Sequence, residues 1–139
     1  MSERTSVHGS YDILLEKHGV SLSRGWDESV RDGLVAGARE PIILAKTPTD
    51  ASHRFSSPQA AEAWHANIEK QPTLYTLNSL GDTAIGGVIW FSHLSLPEIS
   101  DHTFAIRMYS SLRGRRLAGF FLDAAHEDYA SLTNEAPTW

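Results

Sequence analysis

Three consecutive β-type runs in the second half of the chain constrain its fold more than any other feature. Thr73 to Leu80 and Ala84 to Leu94 are rich in β-forming residues, and the turn signal Gly81–Asp82 lies between them, so they predict an antiparallel hairpin. Gly86–Gly87 inside the second run indicates a β-bulge or a close backbone approach. Thr103 to Tyr109 (TFAIRMY) alternates as a strand with one solvated face does. Its predicted core-facing side chains are Phe104, Ile106 and Met108.

Four helices are predicted around these strands. Tyr11 to Lys17 gives a short helix that Gly19 would end in the left-handed conformation, and Asp27 is placed to cap a second helix. Ser57–Pro58 starts a third, because proline at the first helical position lacks only an N–H that was unpaired anyway. A fourth extends from about Arg115 to Leu132. The predicted core-facing residues of the last three helices are Val30, Leu34, Val35 and Ala38, then Ala60, Trp64 and Ile68, then Leu117, Phe121, Ala124 and Ala125.

The segment between the second and third helices completes the predicted order. Pro41 is predicted to stop the second helix, Ile42 to Lys46 (IILAK) to form a short strand, and Thr47 to Phe55 to be a polar connection. The resulting order is helix, helix, strand, helix, three strands, loop and helix. It predicts a mixed α+β domain with an antiparallel hairpin rather than a regular βαβ array.

Composition narrows the class of protein. The absence of cysteine excludes disulfides, thiol catalysis and zinc–thiolate sites together. No run reaches the roughly 18 apolar residues of a membrane-spanning helix, and Met1 to Ser10 lacks the apolar stretch of a secretory signal. The formal net charge of −5 argues against nonspecific nucleic-acid binding. We therefore expect a cytoplasmic protein that binds neither membranes nor nucleic acids.

The segment most suggestive of chemistry follows the third β-type run. Ser110 to Gly119 (SSLRGRRLAG) places glycine and arginine between a strand and the start of a helix. The free N–H groups of a first helical turn point outward, the helix dipole adds about half a positive charge, and arginines add whole ones. Small side chains at Gly114, Ala118 and Gly119 would let a pyrophosphate approach the backbone. The segment predicts an anion site.

Arg113 to Ala118 (RGRRLA) resembles the acetyl-CoA loop of the GNAT superfamily of N-acetyltransferases, whose pattern is Q/R-x-x-G-x-G/A. Arg113 matches the leading basic residue and Ala118 the final small one, while Arg116 stands where the family prefers glycine. Ala84 to Trp90 is similar to a strand of that family, and Phe120 to Ala125 to its central helix.

The resemblance extends upstream and implies a fold. Ile42 to Trp64 is similar to the first strand and first helices of the family. Residues 42–139 are therefore expected to form a GNAT-like domain, with a mostly antiparallel central sheet flanked by helices, and residues 1–41 a helical extension. The family continues with further strands, so this domain is expected to lack the last ones and to leave Thr103–Tyr109 with an open edge.

The resemblance also implies transfer of an acetyl group from acetyl-CoA to an amine, without a metal. The implied acetyl-CoA residues are the strand positions Arg107, Met108 and Tyr109, whose N–H groups would anchor the carbonyl, and the loop positions Arg113, Gly114, Arg115, Arg116, Leu117, Ala118 and Gly119, which would hold the pyrophosphate. No catalytic base is assigned. The candidates by family position are His102, Asp101 and Glu98.

Other interpretations stay open beside this one. The three loop arginines are also compatible with an ordinary solvated helix start. Trp64, Trp90, Phe120 and Phe121 are interpreted as core rather than ligand-stacking residues. His126-Glu127-Asp128 is not interpreted as a metal site, because adjacent residues on a helix point in different directions. A catalytically inactive binding or assembly module is the alternative function. In either case the open strand edge predicts a homo-oligomer or a hetero-complex.

Overall fold

The fold is given by a computed structural model, which describes residues 4–67, 73–80, 85–95 and 100–133. The elements in chain order are β1 (Thr5–Ser6), α1 (Asp12–Lys17), β2 (Val20–Arg24), α2 (Glu28–Ala38), α3 (Pro41–Lys46), a π-helical turn (Asp50–Arg54), α4 (Pro58–Asn67), β3 (Thr73–Ser79), β4 (Ile85–Ser95), β5 (Ser100–Met108) and α5 (Ala118–Thr133).

One antiparallel sheet contains the five strands in the order β1-β2-β3-β4-β5. The predicted hairpin is confirmed, since β3 pairs with β4 from Thr73↔Phe91 onward. The register shifts after Leu77↔Gly87, where Asn78 pairs with Ile85 and Gly86 is left out, so the two glycines do mark a bulge. The prediction of a mixed α+β class with an antiparallel sheet flanked by helices is confirmed.

Strand β2 is absent from the strands predicted from sequence. It pairs with β3 from Val20↔Ser79 to Arg24↔Tyr75. The two-residue strand β1 pairs with the other side of β2, beginning at Thr5↔Arg24. The predicted boundary between residues 41 and 42 falls inside α3, after its first residue, and strands from both sides of it lie in the same sheet.

The helix starts follow the predicted capping chemistry. The Asp27 side chain accepts the N–H of Val30 at 2.9 Å and begins α2, and Ser57 Oγ accepts the N–H of Ala60 at 3.0 Å and begins α4. Gly19 ends the first helical segment with φ +73°, as predicted. These ends are local features, so the sequence specifies them directly.

The run Ile42–Lys46 is a helix and not the predicted strand, which also removes it as the first strand of the resemblance. Pro41 does not merely stop α2, because it is the first residue of α3. Leu44 N–H bonds to the Glu40 carbonyl at 2.9 Å and Thr47 N–H to the Ile43 carbonyl at 2.8 Å. Only Ile43 of this helix is buried. A short apolar run does not by itself distinguish a strand from one helical turn.

Two further predicted faces are corrected. On α4 the fully buried alanine is Ala61 rather than Ala60, Trp64 is only partly buried, and Ile68 lies outside the described residues. On β5 the expected solvated face is covered. Ala105 packs against one core while Ile106 packs against the other, so both faces of this strand contact the protein interior.

Helices cover both faces of the sheet, and each face has its own core. Alternate residues of β4 enter opposite cores, with Ile89 and Phe91 on the α5 side and Val88 and Trp90 on the α2 side. The predicted core residues of the last helix are confirmed in the first core, with Leu117 just before α5 and Phe121, Ala124 and Ala125 within it. Those of α2 are confirmed in the second core; they are Val30, Leu34, Val35 and Ala38. None of the described helices is both long and apolar enough to cross a bilayer.

Candidate anion-binding cleft

The loop between β5 and α5 has an irregular but hydrogen-bonded backbone. The Tyr109 carbonyl accepts the N–H groups of Leu112 at 3.1 Å and Arg113 at 2.8 Å, which closes a compact turn after the strand. Gly114 and Arg116 then have φ of +84° and +57°. Helix α5 begins at Ala118, three residues later than the start predicted at Arg115. Left-handed residues in such a loop turn successive N–H groups toward one side, as in anion-binding nests.

The bulge in β4 positions this loop. Tyr109 N–H bonds to the Gly86 carbonyl at 2.9 Å, and Leu112 is buried beside Gly86. A Cβ on Gly86 would lie 2.3 Å from Leu112 Cδ1, so the loop packs where a side chain would otherwise be. Gly86 is therefore needed for the close backbone approach that the sequence indicated.

Arg113 is fixed rather than freely solvated. Its Nη2 lies 2.5 Å from Glu40 Oε1 and 3.0 Å from the Met108 carbonyl. The same Glu40 carboxylate accepts the N–H of Ser110 at 2.9 and 3.1 Å and the Ser110 hydroxyl at 3.1 Å. Glu40 thus ties the junction of α2 and α3 to the start of the loop.

The rest of the predicted loop faces outward, apart from Leu117, which is buried in the α5 core. Arg115 donates to the His18 carbonyl at 2.6 Å, and Arg116 is exposed. A Cβ on Gly114 or Gly119 would meet nothing within 4 Å. Among the described residues, the N–H groups at positions 114–116 donate to no protein oxygen. The outer surface of the loop is open to a ligand.

Arg107 belongs to a buried ion-pair network that the sequence did not reveal. Its Nε lies 2.8 Å from Asp50 Oδ2, and its guanidinium stacks 5.0 Å from the Trp90 ring. Asp50 is 1% exposed and also pairs with Arg54 at 3.1 Å. Burial, and secondarily the Asp50 charge, raise the pKa of the neighbouring Tyr109 phenol, so this phenol stays neutral near pH 7. The i, i+4 spacing of Asp50 and Arg54 is a local signal for their own ion pair, but no local pattern indicates that Arg107 joins it.

A cleft of about 330 Å³ between α3 and β5 brings part of the predicted set together. Arg107, Met108 and Arg113 line it, whereas Gly114 to Gly119 do not. Its other lining residues are Ile42, Ile43, Lys46, Thr47 and Ile106. Lys46 and Thr47 were not predicted as site residues, because Lys46 was assigned to a strand and Thr47 to a polar connection. We call this the cationic cleft.

A second cleft, of about 440 Å³, lies on the other side of the Glu40–Arg113 pair. Tyr109 and Ser111 line it together with Glu40 and with Asp32 and other residues of α2. We call it the α2 cleft. Tyr109, predicted beside Arg107 and Met108, therefore faces a different cleft from theirs.

The catalytic candidates are not located by their side chains. Glu98 lies outside the described residues, and Asp101 and His102 are described only by their backbone, which pairs with Leu94 and His93 in the β4–β5 ladder. Sequence position thus remains the basis on which these residues are candidates.

The acidic residues of α5 make separate contacts. Glu127 accepts the Ser10 N–H at 2.9 Å, while Asp128 accepts the Tyr75 hydroxyl and pairs with Arg24, both at 2.5 Å. Burial, followed by the hydrogen bond to Asp128, raises the pKa of Tyr75. Within the described ranges, no three histidine or acidic residues are grouped as metal ligands would be.

Comparisons with protein-family models, with curated proteins and with solved structures give no match for this chain. The chemistry of the cationic cleft is therefore inferred from its own residues.

Proposed function

We propose that this chain binds acetyl-CoA in the cationic cleft and on the adjoining loop, and transfers the acetyl group to an amine. The observation that carries the proposal is the convergence of Lys46, Arg107 and Arg113 on one cleft beside β5. Two of these cations have carboxylate partners and Lys46 lies at the exposed end of α3. Guanidinium and ammonium groups are the side chains that proteins use for phosphate recognition.

The loop supports the same proposal through its backbone. Its N–H groups at 114–116, which donate to no protein oxygen among the described residues, and the N-terminus of the 16-residue helix α5 would add donors for the pyrophosphate. Ala118 and Gly119 are both exposed, so these two positions put no bulky side chain on the first turn. The resemblance of Arg113 to Ala118 (RGRRLA) to an acetyl-CoA loop is the reason for proposing acetyl-CoA as the ligand of this anion site.

The proposed reaction needs few parts. The neutral amine attacks the thioester carbonyl, a C–N bond forms, and the C–S bond breaks to leave the CoA thiolate. A base removes the proton of the amine, the thiolate is protonated as it leaves, and N–H donors stabilise the oxyanion. His102, Asp101 and Glu98 remain the candidates for the base.

Titration calorimetry with acetyl-CoA tests the binding. Lys46→Glu places a negative charge in the cationic cleft on an exposed helix end, and we expect it to weaken acetyl-CoA binding by about tenfold or more. Gln59→Glu adds a negative charge on the exposed surface of α4, which lines neither the cationic cleft nor the loop, and should bind as the wild type does. Equal affinities for the two variants, or no binding by the wild type, would contradict the proposal.

A binding module that holds acetyl-CoA without transferring it is the second candidate. It is favoured by the lining of the cationic cleft, which among the described residues contains no histidine, aspartate or glutamate. An acetylation assay on a panel of polyamines and peptides separates the two functions. Thermal protection by CoA together with no turnover on the whole panel would favour the module. We further propose that the open edge of β5 pairs with a second chain.

A further inference from the structure

The carboxylate of Glu40 occupies a set of donors that is built for an anion. The Ser110 N–H contacts both of its oxygens, at 2.9 and 3.1 Å, and the Ser110 hydroxyl lies 3.1 Å away. Arg113 Nη2 completes the set at 2.5 Å. A backbone N–H, a hydroxyl and a guanidinium that converge on one planar anion form a charge-assisted binding site. Here the bound anion is a side chain of the protein itself.

The position of Glu40 allows it to leave this site. Glu40 has extended backbone between α2 and α3, with Pro41 directly after it, so its side chain is not held within a helix. The Glu40 side chain is 20% exposed and that of Arg113 28%, so water reaches both partners. The pair is nevertheless partly buried, so an incoming anion has to replace its hydrogen bonds as well as its charge. Replacement of one anion by another keeps Arg113 paired, and water would solvate the displaced Glu40 carboxylate.

The pair also separates the two clefts. Glu40 lines the α2 cleft and Arg113 lines the cationic cleft, so their contact lies where the two meet. Withdrawal of Glu40 would expose the Ser110 and Arg113 donors to the cationic cleft.

We infer that Glu40 is an internal competitor for the anion site of this loop. A phosphate group of the ligand replaces the Glu40 carboxylate on Ser110 and Arg113, and Glu40 thereby sets the affinity of the site. The identity of that phosphate as part of acetyl-CoA rests on the proposed function. The exchange itself requires only a phosphate-bearing ligand.

Calorimetry with inorganic pyrophosphate on the full chain tests the exchange. Glu40→Gln keeps the size of the side chain but removes its charge, and should tighten pyrophosphate binding by about tenfold, a difference of roughly 1.4 kcal/mol. Asp32→Asn is the matched control, because Asp32 lines the same α2 cleft but pairs with Arg31 and not with the loop. This control removes the same charge and should bind pyrophosphate as the wild type does.

A second variant keeps the test decisive if Glu40→Gln does not fold. Glu40→Asp keeps the charge but shortens the side chain by one methylene, so it should hold the donors less firmly and also bind pyrophosphate more tightly than the wild type. If Glu40→Gln fails to fold by circular dichroism, this variant decides by the same criterion.

The outcomes separate the exchange from the proposed function. Unchanged or weaker pyrophosphate binding in the folded Glu40 variants overturns the inference. Equal tightening of pyrophosphate binding in Asp32→Asn overturns it too. In either case Glu40 only holds the loop in place. Absence of acetyl-CoA binding in all variants, alongside tighter pyrophosphate binding without Glu40, overturns the proposed function and leaves the exchange standing.

Discussion

At the scale of single residues, the buried carboxylate of Asp50 organises one wall of the cationic cleft. Arg107 and Arg54 both pair with it, and the Arg107 side chain is only 11% exposed. Trp90 covers the other side of the Arg107 guanidinium. Asp50 is therefore the counter-ion of Arg107. Asp50 and Trp90 together fix the orientation of the Arg107 guanidinium beside the cationic cleft.

Asp50→Asn should lower the free energy of unfolding by about 3–5 kcal/mol, because it leaves a mostly buried arginine without a counter-ion. Asp32→Asn removes an exposed acid that pairs with Arg31 and should cost less than about 1 kcal/mol. Urea unfolding of both variants measures the contrast. Similar small losses in the two would mean that water or Trp90 already compensates Arg107.

We expect His65 to make the free energy of unfolding depend on pH. It stacks on Trp26 with ring centroids 4.2 Å apart, and burial lowers its pKa below the ordinary 6.5, although the Glu62 charge opposes the shift. A histidine with a lowered pKa takes up its proton more readily in the unfolded chain. Its contribution to stability is therefore complete above pH 6.5 and declines as the pH falls from 6.5 toward the folded-state pKa.

Replacement of the imidazole by a ring that does not titrate isolates this effect. His65→Phe keeps a flat ring against Trp26, so its free energy of unfolding should fall less than that of the wild type between pH 7.5 and pH 5. Parallel urea titrations at each pH measure the difference. A constant difference between the two proteins across this range would show that His65 does not contribute to the pH dependence.

At the scale of elements, local signals predicted the helices and the hairpin, while two short segments were misjudged. The caps at Asp27 and Ser57 and the bulge at Gly86 each act within a few residues, so the sequence shows them. Strand β2 is five residues long, and only the alternation of Val20 and Leu22 marked it. Helix α3 has one buried residue and thus no readable period.

The glycines of α2 show why helix propensity alone misleads. A Cβ on Gly37 would lie 2.3 Å from the Tyr109 ring, and one on Gly33 would lie 2.4 Å from Ile85. These positions give up roughly 1 kcal/mol of helix propensity each. In return they let α2 approach β4 and the start of the loop.

Gly37→Ala should destabilise the protein by about 1–2 kcal/mol, because the overlap with Tyr109 outweighs the gain in helix propensity. Gly119→Ala on α5 is the control, since nothing lies within 4 Å of its added Cβ. It should be neutral or stabilising by up to about 1 kcal/mol. Thermal unfolding of the pair checks this, and stabilisation by both alanines would show that Tyr109 moves away at little cost.

At the scale of the whole molecule, the cleft is assembled from segments far apart in the chain. Glu40 and Arg113 are separated by 73 positions, and Asp50 and Arg107 by 57. The sequence indicated the strand and loop side of the site, because a strand, a glycine–arginine loop and a helix start are contiguous. It did not indicate the α3 side, because only the tertiary fold brings Lys46 beside β5.

The open edge of the sheet also belongs to this scale. Strand β5 spans nine residues at the end of the strand order, and in the described part of the chain it pairs with β4 alone. Phe104 on this strand is 36% exposed, and Ile42 and Leu44 on the neighbouring α3 are 44% and 42% exposed. A long edge strand with apolar side chains nearby is a template for pairing with another chain. A second copy would satisfy its N–H and C=O groups together.

We therefore expect the chain to form a dimer or a larger oligomer at micromolar concentration, measured by light scattering coupled to gel filtration. Phe104→Lys places a charge on the edge strand and should shift the protein toward the monomer, as lysines on edge strands do in natural sheets. Ile13→Lys is the control, because Ile13 is 83% exposed on α1 and should leave the oligomer intact. Circular dichroism confirms that both variants fold. A wild-type monomer across this concentration range would show that water alone satisfies the edge, and dissociation by both lysines would place the contact elsewhere on the surface.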